Sequence, residues 1–240
     1  MKLVQRGAGA TLKVGVNLKA GLNYYIFIKL ALKKKPMAIT TPIEPDRTYH
    51  IYNRGVNKTK LFKQTEHYNR FIKNMFKYLP SICTIHAWCL LGNHFHFLIQ
   101  TKSVQELIKQ RFIKSGLDHD EIIKVNYNQF SKLFNAYAKY FNLKVHRDGS
   151  LFDSRFKKVP VRSEEQFRNL ILYIHNNPAH HNICKNPANY KWSSLKYYLN
   201  NEKRLPFMTE NINEFGGLDA FIEAHQLHQQ KMDFKKEFLE

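Results

Sequence analysis

The pair Gly92-Asn93 separates two runs that are rich in apolar, β-branched and aromatic residues, residues 82–91 and 94–100. A two-residue step of this kind between two strand-like segments is typical of a β-hairpin. The chain is therefore expected to contain an antiparallel sheet, and the remaining elements have to be arranged around this hairpin.

The segments on either side of the hairpin alternate between strand and helix patterns. A polar stretch over residues 113–128 is interpreted as an insertion. The predicted elements are a strand over 48–54, a helix over 65–79, the hairpin, a helix containing 130–141, a strand over 156–162, and a helix that starts at Ser163 and ends at Asn177-Pro178. The order β-α-β-β-α-β-α predicts an α+β, ferredoxin-like (RRM-like) antiparallel sheet with helices on one face, the other face left for a site, and one added helix.

Composition limits the class of protein. Lys and Arg number 38 against 19 Asp and Glu, a formal net charge of +19, which favours a polyanionic partner. A hydrophobic content of 43% excludes a wholly disordered chain. The three cysteines show no C-x-x-C spacing, and no apolar run approaches the roughly 20 residues that span a bilayer. We therefore expect a cytoplasmic protein without a membrane partner.

The charge is unevenly distributed along the chain. Residues 1–36 contain eight basic residues and no acidic one, whereas residues 206–240 contain seven acidic and three basic ones. We predict a basic N-terminal extension over 1–36, a main domain over 37–205 and a helical, acidic C-terminal extension over 206–240. The N-terminal stretch has two interpretations: an arm that binds nucleic-acid backbone, or residues upstream of a true start at Met37.

The strand after the turn carries His94 and His96. Side chains alternate along a strand, so both imidazoles project to one face and Phe95 to the other. Two neighbouring neutral imidazoles can bind a divalent metal. A two-residue turn places Cys89 opposite His96 and His86 on the other face, which makes His86 a poor third ligand. An H-x-H pattern also occurs in ordinary half-buried sheets, so both interpretations stay open here.

The helix from Ser163 carries Tyr173 and Asn177 one turn apart along one edge. A phenol there can attack a phosphodiester, and an amide oxygen can complete a metal site begun by the histidines. A tyrosine with a pKa near 10 is a poor nucleophile at neutral pH, so this chemistry needs a metal. The alternative is an ordinary tyrosine at the edge of the core, since the chain has 13 of them.

Six short motifs follow one another between residues 49 and 198. They are Tyr49-His50-Ile51-Tyr52-Asn53-Arg54-Gly55, Asn93-His94-Phe95-His96-Phe97-Leu98, Gly149-Ser150-Leu151-Phe152, Arg155-Phe156-Lys157, Tyr173-Ile174-His175-Asn176-Asn177-Pro178 and Trp192-Ser193-Ser194. Their joint order and spacing resemble those of the REP-associated tyrosine transposases, single-tyrosine members of the HUH endonuclease superfamily.

The resemblance implies a metal-dependent enzyme that nicks and rejoins single-stranded DNA. It maps the metal ligands, for Mg²⁺ or Mn²⁺, onto His94 and His96, and it maps the nucleophile onto Tyr173. Asn177 takes the place of a third ligand. Attack by Tyr173 would leave a 5′-phosphotyrosine and a free 3′-hydroxyl.

The same resemblance implies a DNA hairpin as partner, a possible homodimer, and a location in the bacterial cytoplasm in association with the nucleoid. Aromatic stacking and backbone charge should bind the strand. Each candidate basic contact is equally compatible with a solvated surface charge. The candidates are Arg54, Lys58, Lys60, Arg155, Lys157 and Lys158.

Two other functions remain as alternatives. One is a domesticated DNA-hairpin-binding protein that no longer cuts. The other, ranked last, is a replication or conjugation initiator, because such proteins commonly carry a helicase domain for which 240 residues leave no room.

Overall fold

The computed structural model describes residues 41–239, with side chains as far as Lys231. The predicted N-terminal extension, residues 1–36, lies outside the described residues. Four strands form one sheet in the order β2-β3-β1-β4, with antiparallel neighbours throughout. The strands are β1 (Thr48–Arg54), β2 (Cys83–Leu91), β3 (His94–Thr101) and β4 (Lys157–Pro160). The predicted ferredoxin-like sheet is confirmed.

The hairpin has the predicted register, with Cys89 opposite His96. At the far end of β2 the pairing shifts between Ile85 and Ala87, which makes His86 the extra residue of a β-bulge. The bulge turns the His86 ring to the face of His96, where it meets Gln100 and lies against the C-terminal helices. The expectation that His86 lies on the opposite face was wrong. It assumed that side chains alternate regularly along β2, and the extra residue of a bulge interrupts that alternation.

Two long helices, α1 (Thr65–Tyr78) and α3 (His119–Lys144), cover one face of the sheet, and the short α2 (Val104–Lys109) precedes α3. Their apolar sides enclose an aromatic core that contains Phe71, Phe95 and Phe134. This face is the closed side of the fold.

The interpretation of residues 113–128 as an insertion was wrong for its second half. Helix α3 begins at His119, where Asp118 and Glu121 form a capping box. Ile122 and Asn126 are already buried, and the Asn126 amide donates to the carbonyl of Ile43. The polar residues between them are the outer side of an amphipathic helix rather than a loop.

Helix α4 (Glu164–His180) lies on the other face of the sheet, over β2 and β3. Ser163 caps it by accepting a hydrogen bond from the Gln166 amide. The predicted end at Asn177-Pro178 was wrong, because the helix continues to His180. Pro178 removes only its own N–H, and the Asn177 carbonyl still accepts from the His181 amide.

Three further helices complete this side: α5 (Leu195–Leu199), α6 (Pro206–Asn213) and α7 (Leu218–Leu239). Phe221 and Met208 join Ile174 of α4 in a second apolar core. The face that was expected to stay available is thus covered over β2 and β3, and α4 is buried on both sides. Residues 206–239 form helices apart from the short 214–217 connection, while the boundary at 205 stays a prediction. None of the helices between residues 41 and 239 is long and apolar enough to cross a bilayer.

Candidate active site

Pairing of β1 with β3 brings the polar side chains of two strands onto one face. Tyr52 lies opposite His96 and Arg54 opposite His94, and directly paired residues project to the same side. Alternation along β1 places His50 on that side as well. The face under α4 therefore holds three histidines and a tyrosine.

The neighbouring asparagine orients His94. The Nδ1 of His94 donates to Oδ1 of Asn93 over 2.7 Å, because an amide oxygen can only accept. The Nε2 atom of His94 consequently keeps its lone pair. Burial lowers the pKa of His94 to about 3, so the ring is neutral at pH 7 and can act as a metal ligand.

A third histidine supports His96. The His50 Nε2 and His96 Nδ1 atoms share a hydrogen bond of 2.9 Å, and His50 is fully buried. Burial lowers the pKa of His50 to about 3 and holds the pKa of His96 well below its usual value. When Nδ1 of His96 is the donor, its Nε2 is the atom left for a metal.

Helix α4 brings Tyr173 over these histidines. The ring of Tyr173 stands edge-on to His96 and to His50, with centroid separations of 5.5 Å and 6.2 Å. Tyr173 is only 9% exposed. The structure thus brings together the predicted nucleophile and the predicted His-x-His pair, which lie 77 residues apart from His96 to Tyr173.

Asn177 is fully buried one turn after Tyr173. Its amide nitrogen donates to the Tyr173 carbonyl over 3.1 Å. Its Oδ1 atom has no hydrogen-bond partner among the described residues, which is a costly state for a buried acceptor. An orphaned amide oxygen on this helix fits the third ligand of a cation.

The donor set is chemically suitable for a divalent metal. It comprises two neutral imidazoles, which bind divalent transition-metal ions, and one amide oxygen, the ligand type that suits Mn²⁺ and Mg²⁺. Within the described part of the chain, no group of three His, Cys, Asp or Glu side chains is placed to hold a metal ion. The Oδ1 atom of Asn177, unpaired within the described residues, is a candidate oxygen for a third protein ligand.

Three residues of the site escaped prediction as site residues. His50 and Asn93 were open to inference, because His50 alternates with Tyr52 and Arg54 on β1 and Asn93 adjoins His94. His181 gave no local signal, since it follows the end of α4. The His181 ring lies 4.7 Å from the His94 ring, between centroids.

A basic cleft of about 300 Å³ opens beside His94. Lys58 and Lys60 line it together with Asn93, His94 and His181. Asn57 and Lys58 have positive φ values of 50° and 60°, a left-handed conformation that bends the chain into the cleft wall. The cleft can hold an anionic group next to the histidines.

The other basic candidates occupy two sides of the sheet. Arg54 pairs with Asp153 at 3.0 Å on the histidine side, where Lys157 lies opposite Tyr52. Lys158 points to the opposite face, with its ammonium 5.3 Å from the centroid of the Phe156 ring, and burial lowers its pKa. Arg155 is exposed just before β4. Arg54, Lys58, Lys60 and Lys157 thus share the side of the site, and Lys158 does not.

Comparison with known proteins adds one likeness. No family model and no curated protein matches the sequence. Among solved structures, a REP-associated tyrosine transposase bound to a REP hairpin superposes with a TM-score of 0.53 at 15% identity, over 71% of this chain and 88% of that chain. At this identity the likeness lies in the backbone. The chain has the fold of that transposase, and the resemblance drawn from the sequence is confirmed at the level of the fold.

Proposed function

We propose that this protein is a tyrosine transposase, a metal-dependent transesterase that nicks and rejoins single-stranded DNA through a 5′-phosphotyrosine. The observation that carries the proposal is the approach of the Tyr173 ring to within 5.5 Å of the His96 ring, on the face that also holds His94. The shared fold with a solved tyrosine transposase supports it.

The reaction exchanges one phosphodiester for another. The phenol oxygen of Tyr173 forms a bond to phosphorus while the bond from phosphorus to the 3′ oxygen breaks. The phenol proton is lost, and the departing 3′ oxygen gains a proton to become a hydroxyl. The phosphotyrosine is itself a phosphodiester and retains the energy of the bond that was broken. A 3′-hydroxyl can therefore reverse the step without ATP.

The protein's own residues prepare this exchange. His94 and His96 would hold the cation through Nε2, and Asn177 would hold it through Oδ1. When bound, the cation polarises the phosphate and offsets its charge. Asn93 and His50 fix the orientation of the two imidazoles, a role that hydrogen-bond partners of metal ligands commonly fill.

The proposed partner is a DNA hairpin with an adjoining single strand. The solved transposase of the same fold is bound to a REP hairpin. On this chain, Lys58 and Lys60 offer charge next to the site. Arg54 can leave Asp153 for a phosphate at little cost, because an exposed ion pair contributes at most about 1 kcal/mol. Lys157, Arg155 and Lys158 are further candidate contacts.

The test is covalent capture of DNA. Labelled single-stranded DNA from the flanks of the protein's own gene is incubated with the protein, with and without Mn²⁺, and resolved on a denaturing gel. We expect a metal-dependent adduct that Tyr173→Phe abolishes while DNA binding persists. Tyr52→Phe is the informative comparison, because Tyr52 also stacks near His96, at 5.8 Å.

The two variants separate the possible nucleophiles. An adduct that survives in Tyr173→Phe and disappears in Tyr52→Phe would assign the attack to Tyr52. Tyr127→Phe, on the closed face of the sheet, serves as the control that should retain the adduct.

A DNA-hairpin-binding protein that does not cut is the second candidate. The burial of Tyr173, at 9% exposure, favours it, because a nucleophile must reach its substrate. Binding of the flanking hairpin DNA with no adduct in Mn²⁺ would establish this alternative.

A further inference from the structure

Three aromatic rings form a stacked column at one end of the sheet. Phe62 and Tyr68 lie 4.6 Å apart at 23°, and Tyr68 and Trp192 lie 4.4 Å apart at 9°. The ammonium of Lys191 lies 4.8 Å from the centre of the Trp192 ring. Because Tyr68 occupies one face of the indole, the lysine covers the other. The column therefore ends in an indole face whose outer cover is a flexible, exposed side chain.

Contacts with the core and with β2 fix the position of the column. Phe62 is 3% exposed and meets Phe71 of the core edge-on at 5.2 Å. The Trp192 carbonyl accepts a hydrogen bond from the Leu90 amide over 2.9 Å. The partly exposed indole is thus fixed against both the core and β2, as a stacking surface has to be.

The column also adjoins the basic cleft. The Phe62 amide donates to the carbonyl of Gly92 over 3.0 Å, and Gly92 lines the cleft together with Lys58 and Lys60. Lys58 and Lys60 of the cleft thus lie just before Phe62, the first ring of the column, in the sequence. A strand whose phosphate lies beside His94 would have its next nucleotides within reach of the column.

We propose that the outer face of Trp192 is a stacking platform for an unpaired base of single-stranded DNA, with Lys191 moving aside to meet a phosphate. The inference rests on the proposed function in that it assigns a second contact to the same substrate. An aromatic face flanked by a cation matches a nucleotide, since every base has a π face and every nucleotide a charge. Bases inside a duplex are already stacked on each other, so the platform selects the single-stranded part.

The experiment uses tryptophan fluorescence of the full-length protein. The chain has two tryptophans, and Trp88 is 2% exposed, so a ligand that stacks on the surface reports through Trp192. A 12-nucleotide oligo(dT) should quench the emission, whereas an abasic oligonucleotide of equal length and charge should bind more weakly and quench little. Equal binding and quenching by the two would overturn the proposal without any variant.

Variants at the platform provide the second arm. Trp192→Ala should weaken oligo(dT) binding roughly 5- to 100-fold, and Trp192→Phe should restore most of it, because stacking needs only an aromatic face. The oligo(dT) affinity of Lys191→Ala is compared with that of Lys77→Ala. The second variant removes an exposed lysine that lies over the ring of Tyr78 as Lys191 lies over Trp192. Unchanged affinity in Trp192→Ala, with an unchanged circular dichroism spectrum, would also refute the platform.

The platform and the proposed reaction fail separately. A metal-dependent adduct in the wild-type protein, combined with equal affinity for oligo(dT) and abasic DNA, would leave the reaction standing and remove the platform. Base-dependent quenching without any adduct would retain the platform and reject the reaction.

Discussion

At the scale of single residues, neighbouring side chains orient both histidines of the His-x-His pair. His50 is fully buried and supports His96 through one hydrogen bond, while Asn93 does the same for His94. The pKa values of His50 and His94 are both lowered to about 3 by burial, which keeps these rings in the neutral form. The two imidazoles proposed as metal ligands are thus oriented by groups of the protein itself.

Replacing His50 tests this support. We expect His50→Phe to lower Mn²⁺ affinity by roughly 10- to 100-fold, the usual effect of removing a partner of a metal ligand. His50→Gln should lose less of the Mn²⁺ affinity, because the amide oxygen of the glutamine can accept a hydrogen bond from His96. The measurement is calorimetric titration with Mn²⁺. His67→Gln changes another buried histidine, in α1, and should leave the affinity unaltered; an unaltered affinity in His50→Phe would contradict the role.

At the scale of elements, the loop after β1 shapes the cleft. A Cβ atom on Gly55 would overlap the carbonyl oxygen of Thr59, and Asn57 and Lys58 between them are left-handed. The loop can therefore follow this path only with glycine at its start. Its conformation places Lys58 and Lys60 beside His94.

Gly55→Ala should displace this loop. We expect a loss of about 1–3 kcal/mol in the free energy of unfolding, together with weaker DNA binding through the two lysines. Urea denaturation and an oligonucleotide titration measure the two effects. Gly92→Ala is the matched control, because its Cβ atom would meet nothing within 4 Å although Gly92 also lines the cleft. Equal stability of the two variants would contradict the tight approach at Gly55.

At the scale of the whole molecule, buried neutral histidines couple the fold to pH. His225 of α7 donates from Nδ1 to the Phe221 carbonyl and accepts at Nε2 from Nδ1 of His175 in α4, over 3.0 Å. Burial lowers the pKa of His225 to about 4, and burial also lowers the pKa of His86. Protonated His225 would place a hydrogen against that of His175 and break the link between the two helices.

The protein should therefore lose stability in mild acid. Between the ordinary histidine pKa of 6.5 and the pKa of about 4 for His225, the unfolded chain binds more protons than the folded one. The free energy of unfolding should fall as pH drops through this window, by up to about 1.4 kcal/mol per pH unit for each such histidine. Urea denaturation at several pH values measures the slope. His225→Gln should reduce it, whereas a slope that is the same in both proteins would exclude His225 as a source.

Local patterns in the sequence were enough to predict the order of strands and helices along the chain, the register at Cys89 and His96, the shared face of the two histidines, and the helix that carries Tyr173. Each of these features depends on the two-residue period of a strand, on the 3.6-residue period of a helix, or on a turn. A few neighbouring residues are therefore enough to predict it. The bulge at His86, the contact of His181 with His94, and the cover of α7 over α4 depend on residues far apart in the chain. The column of Phe62, Tyr68 and Trp192 likewise joins two residues near the start of α1 to one much later in the chain. Such contacts follow from the packing of whole elements, since long-range packing has no period in the sequence.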